Sequence, residues 1–323
     1  MRKEGGDFDF NTLNVNVFTL FDLASLTKPI ATTTVAAILY QRGLLDLEAP
    51  VVGVIPEFLV DFCGALDPRR PKVTFRMLLA HSSGLPAYEK LFLKAHTRQD
   101  LLRAVFTMPL SDDPGTRAEY SDIGFILLGT ALERIAGEPL DILCQREIFG
   151  PLTMINTTFN PPANTRDKIP PTADDPSIRK RIIQGEVQDE NAFVLGGVAG
   201  HAGLFSTAED LARFAHAMLH GGSPILRPET VALFTQRQLA PASTSRALGW
   251  DTPSAPSQSG KYFGPNSFGH LGYTGTSLWI DPDRQLSITL LTNRTWPDSA
   301  NQFIKQIRPR FHDAIVEALG ART

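Results

Sequence analysis

Apolar residues recur along the chain at two spacings. In residues 8–20, Leu13, Val15 and Val17 alternate with asparagines, the period of a strand. After FDLAS the spacing lengthens. Residues 26–43 (LTKPIATTTVAAILYQRG) predict a helix, with Pro29 in its first turn, where a missing N–H costs least, and Gly43 closing it. Residues 73–80 predict a helix that stops at the turn HSSGLP, and residues 100–107 a second short one. Residues 122–136 (DIGFILLGTALERIA) are apolar nearly all round, which predicts a buried helix. Residues 160–190, rich in Pro, Asp, Arg and Thr, predict a surface excursion. Thr207 with Asp210 three positions on reads as a capping box opening the helix AEDLARFAHAML. Residues 277–280 and 286–291 flank Asp281-Pro282-Asp283-Arg284, an antiparallel hairpin, and residues 301–319 predict a closing amphipathic helix. The order strand, helices, strands, helix suits an α+β fold, an antiparallel sheet flanked by helices with a mainly helical insertion, better than alternating βα units.

Composition narrows the class. The chain has 323 residues, 42% hydrophobic and 20% charged, enough apolar surface for a full core without metal or disulfide staples. A net charge of −3 gives no basic field for nucleic acid. Two cysteines make neither a disulfide framework nor a zinc spacing, and His and acidic residues do not converge at ligand spacing, so no metal or cofactor is predicted. The longest apolar stretch, residues 30–40, is interrupted by threonines and too short to span a bilayer. The opening MRKEGGDFDF lacks a secretory apolar run. As written this predicts a cytoplasmic protein; a true start further upstream would allow a periplasmic or secreted one. The sequence does not fix an oligomeric state.

There is no G-x-S-x-G elbow, no H-E-x-x-H, no Walker loop and no strand-linked G-x-G-x-x-G. Three other patterns carry chemistry. Ser25-Leu26-Thr27-Lys28 opens a helix, where positions i and i+3 share a face and Lys28 lies beside the Ser25 hydroxyl. A desolvated lysine has a lowered pKa and can help deprotonate a serine. Tyr120-Ser121-Asp122 precedes the buried helix, and a phenol beside a cation can serve as a base. Gly269-His270-Leu271-Gly272-Tyr273 leads into the late strands, where a glycine lets a substrate backbone approach the sheet edge. His81 in HSSG reads as a structural turn residue, Asp189-Glu190 as a solvated pair near the cleft rim, and His201 as a rim or structural residue.

In this order the three patterns resemble those of the serine β-lactamase and penicillin-binding-protein-like hydrolases, class C branch. That branch holds class C β-lactamases, D-alanyl-D-alanine carboxypeptidases and β-lactamase-like carboxylesterases. The likeness extends to FDLASLTKPIATTT, VTFRMLLAHSSGLP, GGVAGHAGLFSTAEDLARF and FGHLGYTGTSLWIDP. The resemblance implies that Ser25 is the acylated nucleophile, Lys28 its hydrogen-bonding partner and Tyr120 the general base. It also implies an oxyanion hole from the backbone N–H groups of Ser25 and Tyr273, with Asp122, His270 and Gly272 contacting substrate. Two regions follow: an α/β region of residues 1–44 and 205–323, and a mainly helical region of residues 45–204, with the cleft between them. Only residues 1–24 precede Ser25, which predicts a shortened front edge or a start placed too late.

Two departures bear on substrate. Asp122 stands where the family usually has asparagine, and an ionised aspartate only accepts hydrogen bonds. His270 stands where β-lactamases carry lysine, and a neutral histidine offers no fixed positive charge. Both changes weaken recognition of anionic amides. With one cation fewer near Tyr120, activity is expected to rise toward alkaline pH. The expected activity is that of a carboxylesterase working through an acyl-enzyme on a small ester or amide. D-alanyl-D-alanine peptidase or weak β-lactamase activity is the alternative, and a catalytically silent binding or regulatory relative a second one.

Overall fold

The computed structural model describes residues 15–176, 178–242 and 244–320. The first strand, β1 (Phe21–Asp22), is short and pairs antiparallel with residues 205–206. The strand expected over residues 8–20 is not found in its described part. Residues 17–18 form a turn, and Val15, Val17 and Phe18 are exposed. Leu13 lies outside the described residues. Alternation makes a strand only where a neighbouring strand supplies the ladder, and here pairing starts at Phe21.

The next segment is helical as expected, with a changing pitch. A 3₁₀ turn at Ala24–Leu26 and a π turn at Lys28–Thr33 lead into α1 (Thr34–Gln41), and Gly43, at φ 71°, ends it. Helix α2 (Phe75–Leu79) starts at Thr74, whose side chain accepts from the Met77 N–H. Helix α3 spans Arg98–Phe106. Helix α4 (Asp122–Ala136) is capped by Ser121, whose hydroxyl accepts from Gly124 N–H at 2.9 Å, and its residues 123–132 are all buried. A left-handed Gly137 closes it. Helix α5 (Leu140–Cys144) and β2 (Thr158–Phe159) follow.

Residues 160–190 are more than a surface excursion. They contain a hairpin, β3 (Pro171–Asp175) with β4 (Arg181–Gln184), in which Ile183 is buried. The Arg179 guanidinium donates to the carbonyls of Val187 (2.7 Å) and Gln188 (2.6 Å), tying the hairpin to the chain that enters α6 (Glu190–Val194). Its polar composition hid this, because the hairpin is held by side chain to backbone bonds as much as by apolar packing.

Strand β5 (Leu204–Ser206) sits between β1 and β2. Thr207 caps α7 (Ala208–Leu219), as the sequence predicts. Asp210, however, turns away from the cap. Its carboxylate accepts from Asn156 N–H and the Thr157 hydroxyl, both at 2.8 Å, and so ties α7 to the start of β2. Helix α8 (Pro228–Thr235) precedes β6 (Phe268–Leu271), β7 (Ser277–Asp281) and β8 (Leu286–Leu290), which form an antiparallel sheet in the order β6-β7-β8. The predicted hairpin is β7–β8, with Ser277 opposite Leu290 and Asp281 opposite Leu286. The last helix, α9 (Ile304–Ala318), buries Ile304, Arg308, His312 and Val316, one stripe at i, i+4.

One buried charge anchors the helical part. Arg70 is fully buried, and its guanidinium donates to the carbonyls of Phe58 (3.0 Å), Phe106 (2.9 Å), Thr107 (3.3 Å) and Met108 (2.7 Å). Arg70→Ala leaves these acceptors unmatched around a cavity. We expect a loss of about 3–5 kcal/mol, read as a lower urea midpoint at unchanged slope.

Candidate active site

The turn that carries Ser25 is strained where β1 passes into the helical segment. Ala24 holds φ 47°, a left-handed conformation that costs a non-glycine residue about 1–3 kcal/mol. Its N–H is held by the Asp22 carboxylate at 2.8 Å. The next residue is Ser25. Its hydroxyl oxygen accepts from the Lys28 ammonium at 3.1 Å and from the Tyr120 hydroxyl at 2.8 Å. Lys28 sends its other donors to Asp122 Oδ1 at 2.5 Å and to the His201 carbonyl at 3.1 Å. Each of its three donors therefore has an acceptor.

These contacts set the charges. Burial is the largest influence on Lys28 and acts to depress its pKa. The Asp122 carboxylate and the Tyr120 phenol together outweigh it and hold the pKa above the usual lysine value. The sequence expectation of a desolvated, lowered lysine is thus overturned: Lys28 is a fixed ammonium. Tyr120 is pushed up, first by burial and then by Asp122, while Lys28 pulls it back. Asp122 is the first residue of α4, where the helix N-terminus favours a negative charge. Its carboxylate is engaged by the ammonium. His81, read as a turn residue, is buried with its ring 4.7 Å from that of Tyr120, and its Nδ1 accepts from Ser121 N–H at 3.0 Å. It braces the segment that carries Tyr120 and Asp122.

The opposite wall is the end of β6. His270 Nδ1 lies 2.8 Å from the Leu271 carbonyl, which only accepts, so Nδ1 carries the hydrogen and Nε2 a lone pair. Burial, then Lys28 and Arg246, depress its pKa well below the usual value, so the ring is neutral. Gly272 lines the cleft, but its bare Cα serves the protein first: a side chain there would strike Leu23 O and the Thr276 hydroxyl. The structure thus gives this glycine a backbone-packing role at the cleft wall. Tyr273 follows, its carbonyl accepting from Arg294 Nε at 2.6 Å and its ring 4.0 Å from the Arg294 guanidinium.

Comparison with known proteins adds the frame. The beta-lactamase family profile matches residues 9–307. The chain belongs to the beta-lactamase family. The N-acetylmuramyl-L-alanine amidase of Bacillus subtilis (strain 168) is 35% identical over 91% of this chain and 72% of its own length. Simvastatin synthase from Aspergillus terreus superposes with TM-score 0.72 at 24% identity, covering 98% of this chain and 88% of that one. EstCE1, a hydrolase with promiscuous acyltransferase activity, superposes with TM-score 0.69 at 22% identity, covering 91% and 86%. The fold is accordingly the β-lactamase and penicillin-binding-protein-like α+β fold, and the protein is a serine hydrolase.

In this beta-lactamase-family hydrolase Ser25, Lys28, Tyr120, Asp122, His270, Gly272 and Tyr273 meet at one cleft of about 840 Å³ or in direct contact with it. The cleft also holds groups that the sequence motifs do not reveal. Arg246 lies 5.4 Å from the centre of the Tyr120 ring and 3.6 Å from Asp251. A cation therefore reaches the cleft although position 270 carries none. No local motif marks an arginine in a loop. His201 and Asp189, read as rim residues, are a pair: His201 Nε2 to Asp189 Oδ1 is 2.8 Å, with His201 buried. Burial acts to raise Asp189, but His201, the Ala192 N–H and Lys28 together outweigh it and the carboxyl is held below its usual range. Among the described residues no metal-ligating side chains cluster, and no helix is long and apolar enough to cross a membrane.

Proposed function

We propose that this protein hydrolyses small carboxylic esters through a Ser25 acyl-enzyme. The observation that carries the reading is the Tyr120 hydroxyl 2.8 Å from Ser25 Oγ beside an ammonium that Asp122 keeps charged. A charged Lys28 has no lone pair to receive a proton. Tyr120, as phenolate, takes the Ser25 proton while Oγ attacks the acyl carbon, and Lys28 stabilises the negative charge on both oxygens. The oxyanion faces the N–H groups of Ser25 and Tyr273, each such donor worth about 3–4 kcal/mol. Tyr120 then gives its proton to the leaving alkoxide. In the second half Tyr120 takes a proton from water as the water oxygen attacks the acyl carbon, the bond from that carbon to Ser25 Oγ breaks, Tyr120 returns the proton to Oγ, and the acid leaves. The cleft lies between an α/β region of residues 1–44 and 205–323 and a mainly helical region of residues 45–204.

Ester preference follows from the polar groups. Asp122 is bound to Lys28 and offers no donor to an amide carbonyl. An alcohol also leaves with less help than an amine. Amide hydrolysis, including D-alanyl peptide or weak β-lactam cleavage, is the second reading. It is favoured by the Bacillus subtilis relative, named an amidase, and by the Arg246 cation at the cleft.

Paired kinetics decide between them. Expected is a kcat/KM for p-nitrophenyl butyrate at least about tenfold above that for N-acetylmuramyl-L-alanine, a D-alanyl-D-alanine peptide or a chromogenic cephalosporin, equal to about 1.4 kcal/mol of transition-state binding. Faster turnover of the muramyl amide or the peptide would install the second reading. Faster turnover of the cephalosporin would overturn the ester assignment.

A further inference from the structure

We infer that Asp22 is a positioning residue that locks the nucleophile turn to the rim of the cleft and thereby sets the rate at which Ser25 is acylated. Asp22 is 2% exposed and sits three residues before Ser25. One carboxylate oxygen accepts from Ala24 N–H at 2.8 Å, and the other from Gln188 N–H at 2.7 Å. Its carbonyl accepts from the Thr274 hydroxyl at 2.7 Å, and that of Leu23 from the Thr276 hydroxyl at 3.0 Å. Two residues thus hold the nucleophile turn, the rim segment and the turn that carries Tyr273.

The rim connection returns to the site. Gln188 precedes Asp189, Asp189 holds His201, the His201 carbonyl accepts from Lys28, and Lys28 donates to Ser25. The path from Ser25 through Ala24, Asp22, Gln188, Asp189, His201 and Lys28 back to Ser25 is a closed ring. Cutting it at Asp22 frees the strained Ala24 turn on one side and the support of Lys28 on the other. A carboxylate is suited to the place because it accepts in two directions with no donor of its own. An asparagine would set its NH₂ against one of the two N–H groups.

The ionised form makes both bonds best. Burial pushes the Asp22 pKa up to about 6, with Asp189 raising it further, and the two N–H bonds and Arg179 lowering it. Protonation then loosens the ring on the acid side of neutrality.

The inference rests on the Ser25 acyl-enzyme, and the test separates the two. The acylation rate is measured with p-nitrophenyl butyrate and a fluorophosphonate probe for the wild type and Asp22→Asn, across pH 5 to 9, with thermal midpoints alongside. Expected are wild-type labelling at Ser25, acylation slowed about 10- to 100-fold in Asp22→Asn at little-changed KM, a midpoint close to wild type, and loss of the extra acid limb near pH 6 that the wild type shows on top of the slope Tyr120 imposes. A wild type that is not labelled at Ser25 would overturn the acyl-enzyme reading. Labelling of the wild type with equally fast acylation of Asp22→Asn and the same acid limb would overturn the role of Asp22 alone. If Asp22→Asn does not fold, the wild-type profile decides: acylation that falls below pH 6 no more steeply than Tyr120 makes it fall between pH 9 and pH 7 overturns the inference.

Discussion

Ser25→Ala is expected to abolish covalent labelling by a fluorophosphonate and to lower kcat on p-nitrophenyl butyrate by about 10⁴- to 10⁶-fold, the loss typical of a missing serine nucleophile. KM and the thermal midpoint should stay near wild type. The hydroxyl is an acceptor for only two side chains, and Lys28 keeps Asp122 and the His201 carbonyl after its removal. Activity-based labelling of the two proteins in parallel checks this. Labelling that persists in Ser25→Ala would move the acyl group to another residue. A wild type that takes no label would favour a silent, binding relative.

Lys28→Met should be the next most damaging change, for two separable reasons. Catalysis loses the cation that stabilises both oxygens and lowers Tyr120, so kcat should fall by about 10²- to 10⁴-fold. With Tyr120 as the proposed base acting as phenolate, activity should climb with pH until Tyr120 is ionised. Without the ammonium Tyr120 ionises at a higher pH, and the rising limb of the profile should move in the alkaline direction. Stability also falls, because Asp122 loses its partner. Breaking a buried pair costs about 3–5 kcal/mol, and the Asp122 side chain retains 17% exposure, which places the loss at the low end. Lys28→Met with Asp122→Leu removes both charges and should recover stability without recovering activity. Denaturant midpoints and pH–rate profiles of the single and double variants read both effects.

The parts of the site that stand in short local patterns were legible in the sequence. Ser25 and Lys28 meet because i and i+3 share a helix face, and α4 begins at Asp122 because Ser121 caps it. The β7–β8 hairpin followed from alternation around a turn. What escaped was set by distant partners. The charge of Lys28 depends on Asp122, 94 positions away, and spacing alone suggested the opposite shift. The role of Asp22 depends on Gln188, 166 positions away. Arg246 enters the cleft from a loop with no motif. The first strand was misplaced because alternation over residues 15–17 meets no partner strand, and the hairpin β3–β4 was missed because side chains bonding to carbonyls hold it.

The bare Cα of Gly272 has a consequence for how this cleft can change. Leu23, between β1 and the turn of Ser25, and Gly272, just before Tyr273, touch backbone to backbone, with no room for a side chain between them. The spacing of the Ser25 and Tyr273 N–H groups, proposed above to face the oxyanion, is therefore held by main-chain contact more than by the residues that line the walls. Substitutions at Ile178 or Gln302, which line the same cleft, can retune the accepted acyl and leaving groups while the reacting centre keeps its dimensions. Selectivity and chemistry are separable modules here, and a library confined to the walls should yield altered substrate ranges far more often than inactive protein.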